Sequence, residues 1–265
     1  MLCKAMKKNI IAANFKMNKT NKDIESYFDI FARNINELKN KGSFDDAEIV
    51  FAPPFTALCE TYRIIKPLGG FIKLSSQNIY YEKNGAYTGE ISLDMIKNCG
   101  CVYAIIGHSE RRNIFNESDE LIAKKIRAVY NYNNEAITPI LCVGENLEIR
   151  NKNEHKNFVK NQLNIALNSI KGEKVSSLII AYEPVWAIGT GIPIKPDDGE
   201  EMHRFIYDYV NANFLIGELR IIYGGSVTES NIKELISKKH IGGVLVGGAS
   251  LDPLIFFNIC ELSVV

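Results

Sequence analysis

Eight short apolar, β-branched runs recur along the chain and do more than any other feature to limit its fold. They are Asn9–Met17, Glu48–Phe55, Phe71–Asn78, Val102–His108, Thr138–Val143, Leu178–Glu183, Arg220–Tyr223 and Gly242–Val246. The runs are continuously apolar rather than alternating, which suits strands covered on both faces in a parallel sheet. Helical patterns lie between them. Asn21–Lys39 places Ile24, Phe28, Phe31, Ile35 and Leu38 on one face. Ser118–Tyr130 opens on a capping signature, Ser-Asp-Glu, and Asp197–Phe214 and Glu229–Lys238 carry the same periodicity. Strand and helix in alternation predict right-handed βαβ units. Eight of them without a Pro/Ser-rich linker, charge block or low-complexity segment predict one α/β domain over residues 1–265, a closed (β/α)8 barrel. An open doubly wound sheet satisfies the same periodicity.

Bulk properties narrow the partners. With 46% hydrophobic residues among 265, the chain can bury about 70–75% of its unfolded surface. Lys+Arg and Asp+Glu both number 31, so no global field draws nucleic acid or an anionic membrane. Any anionic ligand must be held by a local device. The six cysteines (Cys3, Cys59, Cys99, Cys101, Cys142, Cys260) are too scattered for a disulfide scaffold. Cys99 and Cys101 form a lone C-x-C with no matching pair, so no metal site is expected, and the cysteines read as small buried hydrophobes in a reducing compartment. The basic stretch Met1–Lys8 is followed by too short an apolar run for a signal sequence, and no run approaches the ~18 residues of a membrane span. The expectation is a cytoplasmic protein.

Chemistry-bearing residues cluster just after the strands. In parallel barrels the site lies at the C-terminal strand ends, and five of those ends are polar or glycine-rich here. They are Asn14-Phe-Lys-Met-Asn18, Gly107-His-Ser-Glu-Arg-Arg112, Glu183-Pro-Val-Trp-Ala-Ile-Gly-Thr-Gly191, Tyr223-Gly-Gly-Ser226 and Val246-Gly-Gly-Ala-Ser250. Taken singly, Lys16 reads equally as a snorkelling lysine, His108 as a hydrogen-bonded core histidine, and the glycines as turns. Glu183 follows Ile-Ile-Ala-Tyr, where partial desolvation strengthens a carboxylate as a base. The glycine pairs after strands seven and eight let backbone N–H groups approach phosphate oxygens, which supplies the local anion device. Neither G-x-x-x-x-G-K-[ST] nor G-x-G-x-x-G occurs, so nucleotide phosphates are not the expected ligand.

As a set, and in order from Asn14 to Ser250, these segments resemble the triosephosphate isomerase family. Ala181-Tyr-Glu-Pro-Val-Trp-Ala-Ile-Gly-Thr-Gly191 is the most specific part and Ile106-Gly-His-Ser-Glu-Arg-Arg112 the next. The resemblance implies a TIM barrel that interconverts dihydroxyacetone phosphate and D-glyceraldehyde 3-phosphate without cofactor or metal. The family is itself the standard example of one carboxylate base paired with one neutral imidazole, so the roles are carried over from it. It implies Glu183 as general base, His108 as neutral electrophile at a helix N-terminus opened by Ser109 and Glu110, and Lys16 as electrostatic stabiliser. Asn14 is implied to place Lys16 and bind substrate. Backbone groups of Gly189, Ser226, Gly247 and Gly248 are implied to hold the phosphate.

A closing lid is implied too, to keep water from the intermediate. Pro184–Trp186 would be its first hinge and 187–191 its tip. Tyr223 and Ser226 would latch it closed, and Glu145 would anchor Trp186 when open. Two departures stand out: Phe15 replaces the usual tryptophan, and Ile192-Pro193-Ile194 replaces the usual second hinge. The segment 77–90 resembles the family's interdigitating loop, which implies a homodimer with Thr88 near the partner's active site. Two rivals remain at this stage, a Schiff-base aldolase using Lys16 and an inactive barrel serving as a scaffold.

Overall fold

The fold was obtained as a computed structural model, which describes residues 9–39, 47–132, 136–188 and 194–264. The eight strands are β1 (Asn9–Asn14), β2 (Ala47–Ala52), β3 (Ile72–Ser76), β4 (Tyr103–Ile106), β5 (Thr138–Val143), β6 (Lys174–Tyr182), β7 (Leu215–Tyr223) and β8 (Gly243–Val246). Each pairs in parallel with its neighbours in sequence. β8 pairs back onto β1 through Ile10–Gly243 to Ala13–Val246, which closes the barrel and rules out the open sheet. Helices α1 (Asn21–Lys39), α2 (Leu58–Ile65), α3 (Leu93–Asn98), α4 (Ser109–Asn113) and α5 (Asp119–Asn131) belong to the first half. Helices α6 (Leu147–Asn151), α7 (His155–Leu167), α8 (Pro196–Asn213), α9 (Ile232–Ile236) and α10 (Pro253–Leu262) belong to the second.

The continuous apolar runs now have their explanation in two separate cores. Ile10, Ala12, Val50, Ala52, Ile105, Ile140, Cys142, Ile179, Ala181, Ile222 and Leu245 fill the barrel interior. The residues between them, such as Ile11, Ala13, Ile49, Phe51 and Ile180, face outward and pack under the helices. Asn14 continues the inward series Ile10–Ala12, and Glu183 continues Ile179–Ala181. Both are thus delivered to the interior at the C-terminal mouth by the two-residue period of a strand. Phe15 is fully buried, edge-on to Tyr27 at 5.0 Å between ring centroids and 5.9 Å from Phe51, so a smaller aromatic fills this position within an aromatic cluster.

Several expected boundaries moved. β1 stops at Asn14 because Lys16 turns into the left-handed region at φ 52°. β6 and β7 begin earlier than their apolar runs. Their first residues alternate in exposure, exposed with buried in β6 and exposed with half-buried in β7, and pair with each other from Lys174–Leu215 onward. α9 is shorter than the expected Glu229–Lys238. Cys59 and Cys99 are joined as a disulfide, contrary to the expectation of unpaired cysteines, whereas Cys101, Cys142 and Cys260 are free and buried.

α8 contributes a buried titratable group. His203 is fully buried, its Nδ1–H donating to the Gly199 carbonyl at 2.7 Å, and burial pushes its pKa down to about 4. Between the unfolded value of 6.5 and about 4, the unfolded chain therefore binds a proton that the folded chain refuses. Stability is then complete above 6.5 and falls as pH drops through that window, by up to roughly 3 kcal/mol for this residue. Urea denaturation at pH 7 and pH 4.5 is expected to show that loss, and His203→Gln to reduce the difference. An unchanged pH dependence in His203→Gln would contradict the assignment.

Candidate active site

The C-terminal mouth of the barrel opens into a cavity of about 410 Å³ lined by Asn14, Lys16, His108, Glu183, Ser226, Gly247 and Gly248 together with Gly224 and Gly225. The segments after β1, β4, β6, β7 and β8 therefore meet in one space, as their positions after strands predicted.

Glu183 is 2% exposed. Its backbone N–H donates to the Val143 carbonyl at 2.8 Å, continuing the β5–β6 pairing one residue past the strand. The Ser109 N–H, at the start of α4, donates to its Oε2 at 2.8 Å, and Oε1 lies 3.1 Å from His108 Nε2. The absence of a side chain at Gly224 is required here, since an added Cβ would sit 2.8 Å from Glu183 Cγ. His108 is the N-cap of α4, with the Glu110 N–H donating to its Nδ1 at 3.2 Å. An Nδ1 that accepts leaves the ring proton on Nε2, the tautomer that can donate into the cavity.

Lys16 is held in an uncommon conformation from three sides. Its φ of 52° costs on the order of 1 kcal/mol for a side chain of this size. Against that, its N–H donates to Asn14 Oδ1 at 3.0 Å, and the Gln77 Nε2 donates to its carbonyl and to that of Ala52, each at 2.8 Å. The ammonium pairs with Glu110 Oε1 at 2.9 Å, with the lysine side chain one-quarter exposed. Gln77 lies both at the end of the run Phe71–Asn78 and at the start of segment 77–90, and neither pattern marks it as a support of Lys16. Its signal was present, since it is the first residue after β3, the same place that marked the others. Arg112, the last residue of the motif Ile106–Arg112, is a second supporting residue. Its Nε donates to the Gly107 carbonyl at 2.7 Å and its Nη2 to that of Cys142 at 3.0 Å, tying together the ends of β4 and β5.

At the opposite wall, Gly248 opens a short 3-10 turn, Gly248–Leu251, beside Gly247. The Ser226 N–H and Oγ–H both donate to the Ala187 carbonyl, at 3.2 and 2.8 Å. Trp186 Nε1–H donates to Glu145 Oε1 at 3.1 Å, and the Tyr182 hydroxyl donates to the same carboxylate. Glu145 is fully buried, and its pKa is raised by that burial despite these hydrogen bonds. Tyr223 is buried as well, its hydroxyl pKa pushed up to about 12 by burial, beside the backbone of Ile194. Gly189, Ile192 and Pro193 lie outside the described residues. Among the described residues, no group of three His, Cys, Asp or Glu is placed to hold a metal ion.

Comparison with known proteins agrees with the geometry. A family model described as triosephosphate isomerase matches residues 9–263. The chain is 45% identical to the triosephosphate isomerase of Aquifex aeolicus, over 95% of this chain and 98% of that protein. It is also 45% identical to that of Dictyoglomus thermophilum, over 97% of this chain and 100% of that protein. Among solved structures, triosephosphate isomerase from Bartonella henselae superposes with a TM-score of 0.79 at 33% identity, covering 96% of this chain and 98% of that one.

Proposed function

The chain belongs to the triosephosphate isomerase family, and on that premise we propose how its own residues divide the work. The reaction is the aldose–ketose interconversion of dihydroxyacetone phosphate and D-glyceraldehyde 3-phosphate, a step of glycolysis and gluconeogenesis. Glu183 exchanges its hydrogen bond from the Ser109 N–H for a substrate proton, taking it from the hydroxymethyl carbon of the ketone. The electron pair left behind forms the enediolate. His108 Nε2–H donates to the developing oxyanion and then moves protons between the two oxygens. Lys16, placed by Asn14 and Gln77, balances the negative charge. Glu183 then returns its proton to the neighbouring carbon. One carboxylate serves both carbons because they are bonded to each other. Gly189, Ser226, Gly247 and Gly248 hold the phosphate through backbone N–H groups, that of Ser226 after it leaves the Ala187 carbonyl.

The observation that carries this reading is the convergence of Glu183, His108 and Lys16 on one cavity whose far wall is glycine backbone. A coupled assay of glyceraldehyde 3-phosphate conversion tests it, and an inactive, correctly folded wild type would end it. A Schiff-base aldolase needs an uncharged amine, whereas Lys16 sits in an ion pair. Borohydride with dihydroxyacetone phosphate is accordingly expected to leave Lys16 unlabelled.

The lid reading follows from the same residues. Trp186 bonded to Glu145 supports an open arrangement, from which closure would carry Ala187 and the residues beyond it over the substrate. Proline at 193 fixes φ in the second hinge, so Pro193→Ala is expected to change kcat and KM together. Unchanged steady-state kinetics would remove the hinge role.

A homodimer is the expected working form. Met17, next to Lys16, is 94% exposed, and Ile114, Phe115 and Met95 are 66%, 65% and 54% exposed, large apolar side chains that a partner would cover. In segment 77–90, the Tyr80 ring packs at a tilt against Tyr81 and Tyr87, with centroids 4.4 and 4.8 Å away, at the base of a loop exposed from Glu82 to Glu90. Thr88→Arg is expected to convert dimer to monomer in sedimentation and lower kcat/KM about 100-fold, the cost of a small misplacement at the site. A fully active wild-type monomer would refute the dimer. The same reading takes residues 1–265 as one domain, because β1 and β8 must both be present to close the barrel. It also places the protein in the cytoplasm, with no partner among nucleic acids. Among the described residues no helix is long and apolar enough to cross a membrane, and cell fractionation tests the location.

A further inference from the structure

Among the described residues, Cys59 and Cys99 stand apart from the other cysteines in exposure as well as in pairing. Cys59 is exposed and Cys99 half-buried, whereas Cys101, Cys142 and Cys260 are buried, free, and have thiol pKa values raised by burial. The local fold brings the two together. Cys59 is the second residue of α2, on its exposed side. Tyr62 lies one helical turn further on, and its ring packs on Gly100, where an added Cβ would meet ring atoms at 2.4 Å. Gly100 holds φ 87° just after α3, so the chain can turn beneath that ring and set Cys99 opposite Cys59, at a Cα–Cα distance of 4.6 Å.

The bridge spans 40 residues of sequence. Within that span lie β3, the supporting residue Gln77, segment 77–90 and α3. The cross-link therefore braces the stretch of chain that carries the Lys16 clamp, without touching the cavity.

We propose that Cys59 and Cys99 form a surface thiol–disulfide exchange site for low-molecular-weight disulfides, whose oxidised form braces residues 59–99. The Cys59 thiolate attacks one sulfur of the small disulfide, breaking its S–S bond and releasing one thiolate. Cys99, as thiolate, attacks the Cys59 sulfur of the mixed disulfide and releases the second. Two protein thiols are oxidised, one small disulfide is reduced to two thiols, and the two protein protons pass to the released thiolates. The buried thiols are shielded from this exchange.

The test uses the full chain equilibrated with glutathione disulfide or with dithiothreitol, followed by native alkylation, peptide mapping and thermal unfolding. Mapping separates Cys59 and Cys99 from Cys3. After glutathione disulfide both cysteines are expected to resist alkylation, and after dithiothreitol both are expected to be modified while Cys101, Cys142 and Cys260 stay unmodified. Reduction is expected to lower Tm by about 5–15 °C, as for a loop of this size in a chain of this length. C59S and C99S are expected to show the reduced Tm whatever the redox state, with isomerase activity within about two-fold of wild type. Alkylation of both cysteines after glutathione disulfide, or one Tm for both states of the wild type, would overturn the proposal. The wild-type comparison decides even where a serine variant folds poorly.

Discussion

Glu183→Gln is expected to lower kcat by about 1,000- to 10,000-fold with KM little changed, as measured in a coupled assay beside wild type. Glutamine keeps the length of glutamate, and its amide oxygen can still accept the Ser109 N–H that now holds Oε2 at 2.8 Å. The fold and the cavity therefore survive, and the loss is of proton-accepting capacity alone. Glu183→Asp separates position from chemistry, since it retains a carboxylate but withdraws it by one methylene. A misplacement of about 1 Å is expected to cost roughly 100-fold. If Glu183→Asp leaves the rate unaltered, the base lies elsewhere.

The second large effect belongs to Lys16→Met, expected to lower kcat/KM by about 100- to 1,000-fold, the usual scale for removing one preorganised group facing developing negative charge. Methionine preserves an unbranched chain of similar length, so the site keeps its shape. The substitution leaves Glu110 without the ammonium that it now meets at 2.9 Å. An uncompensated carboxylate beside an anionic substrate repels it, so KM rises as kcat falls. The variant is expected to fold, because the main-chain supports of residue 16, from Asn14 Oδ1 and Gln77 Nε2, do not involve the side chain. Wild-type kinetics in Lys16→Met would remove the electrostatic role.

Much of this was legible because a parallel barrel buries both faces of every strand. Ile10 and Ile11 face different cores, yet both must be apolar. The same strands deliver Asn14 and Glu183 by simple alternation, so a polar residue at the end of an apolar run marks the mouth. What stayed hidden depends on contacts across the chain. Gln77 supports Lys16 from 61 residues away, through a carbonyl that no side-chain pattern encodes. The early starts of β6 and β7 come from their mutual pairing, where exposed positions interrupt the apolar signal. The Cys59–Cys99 bridge depends on how Gly100 turns beneath Tyr62, and the spacing of the cysteines alone carries no trace of that.

The central claim, that Glu183 carries a proton between adjacent carbons inside this cavity, is tested most directly by isomerisation in deuterium oxide followed by NMR of the product. A proton resting on Glu183 can exchange with solvent before it is returned. Wild type is therefore expected to place deuterium on the carbon that receives the proton, and Glu183→Gln is expected to lose this incorporation in step with its loss of isomerisation. Product free of deuterium from the wild type, or exchange that persists in Glu183→Gln, would contradict the account.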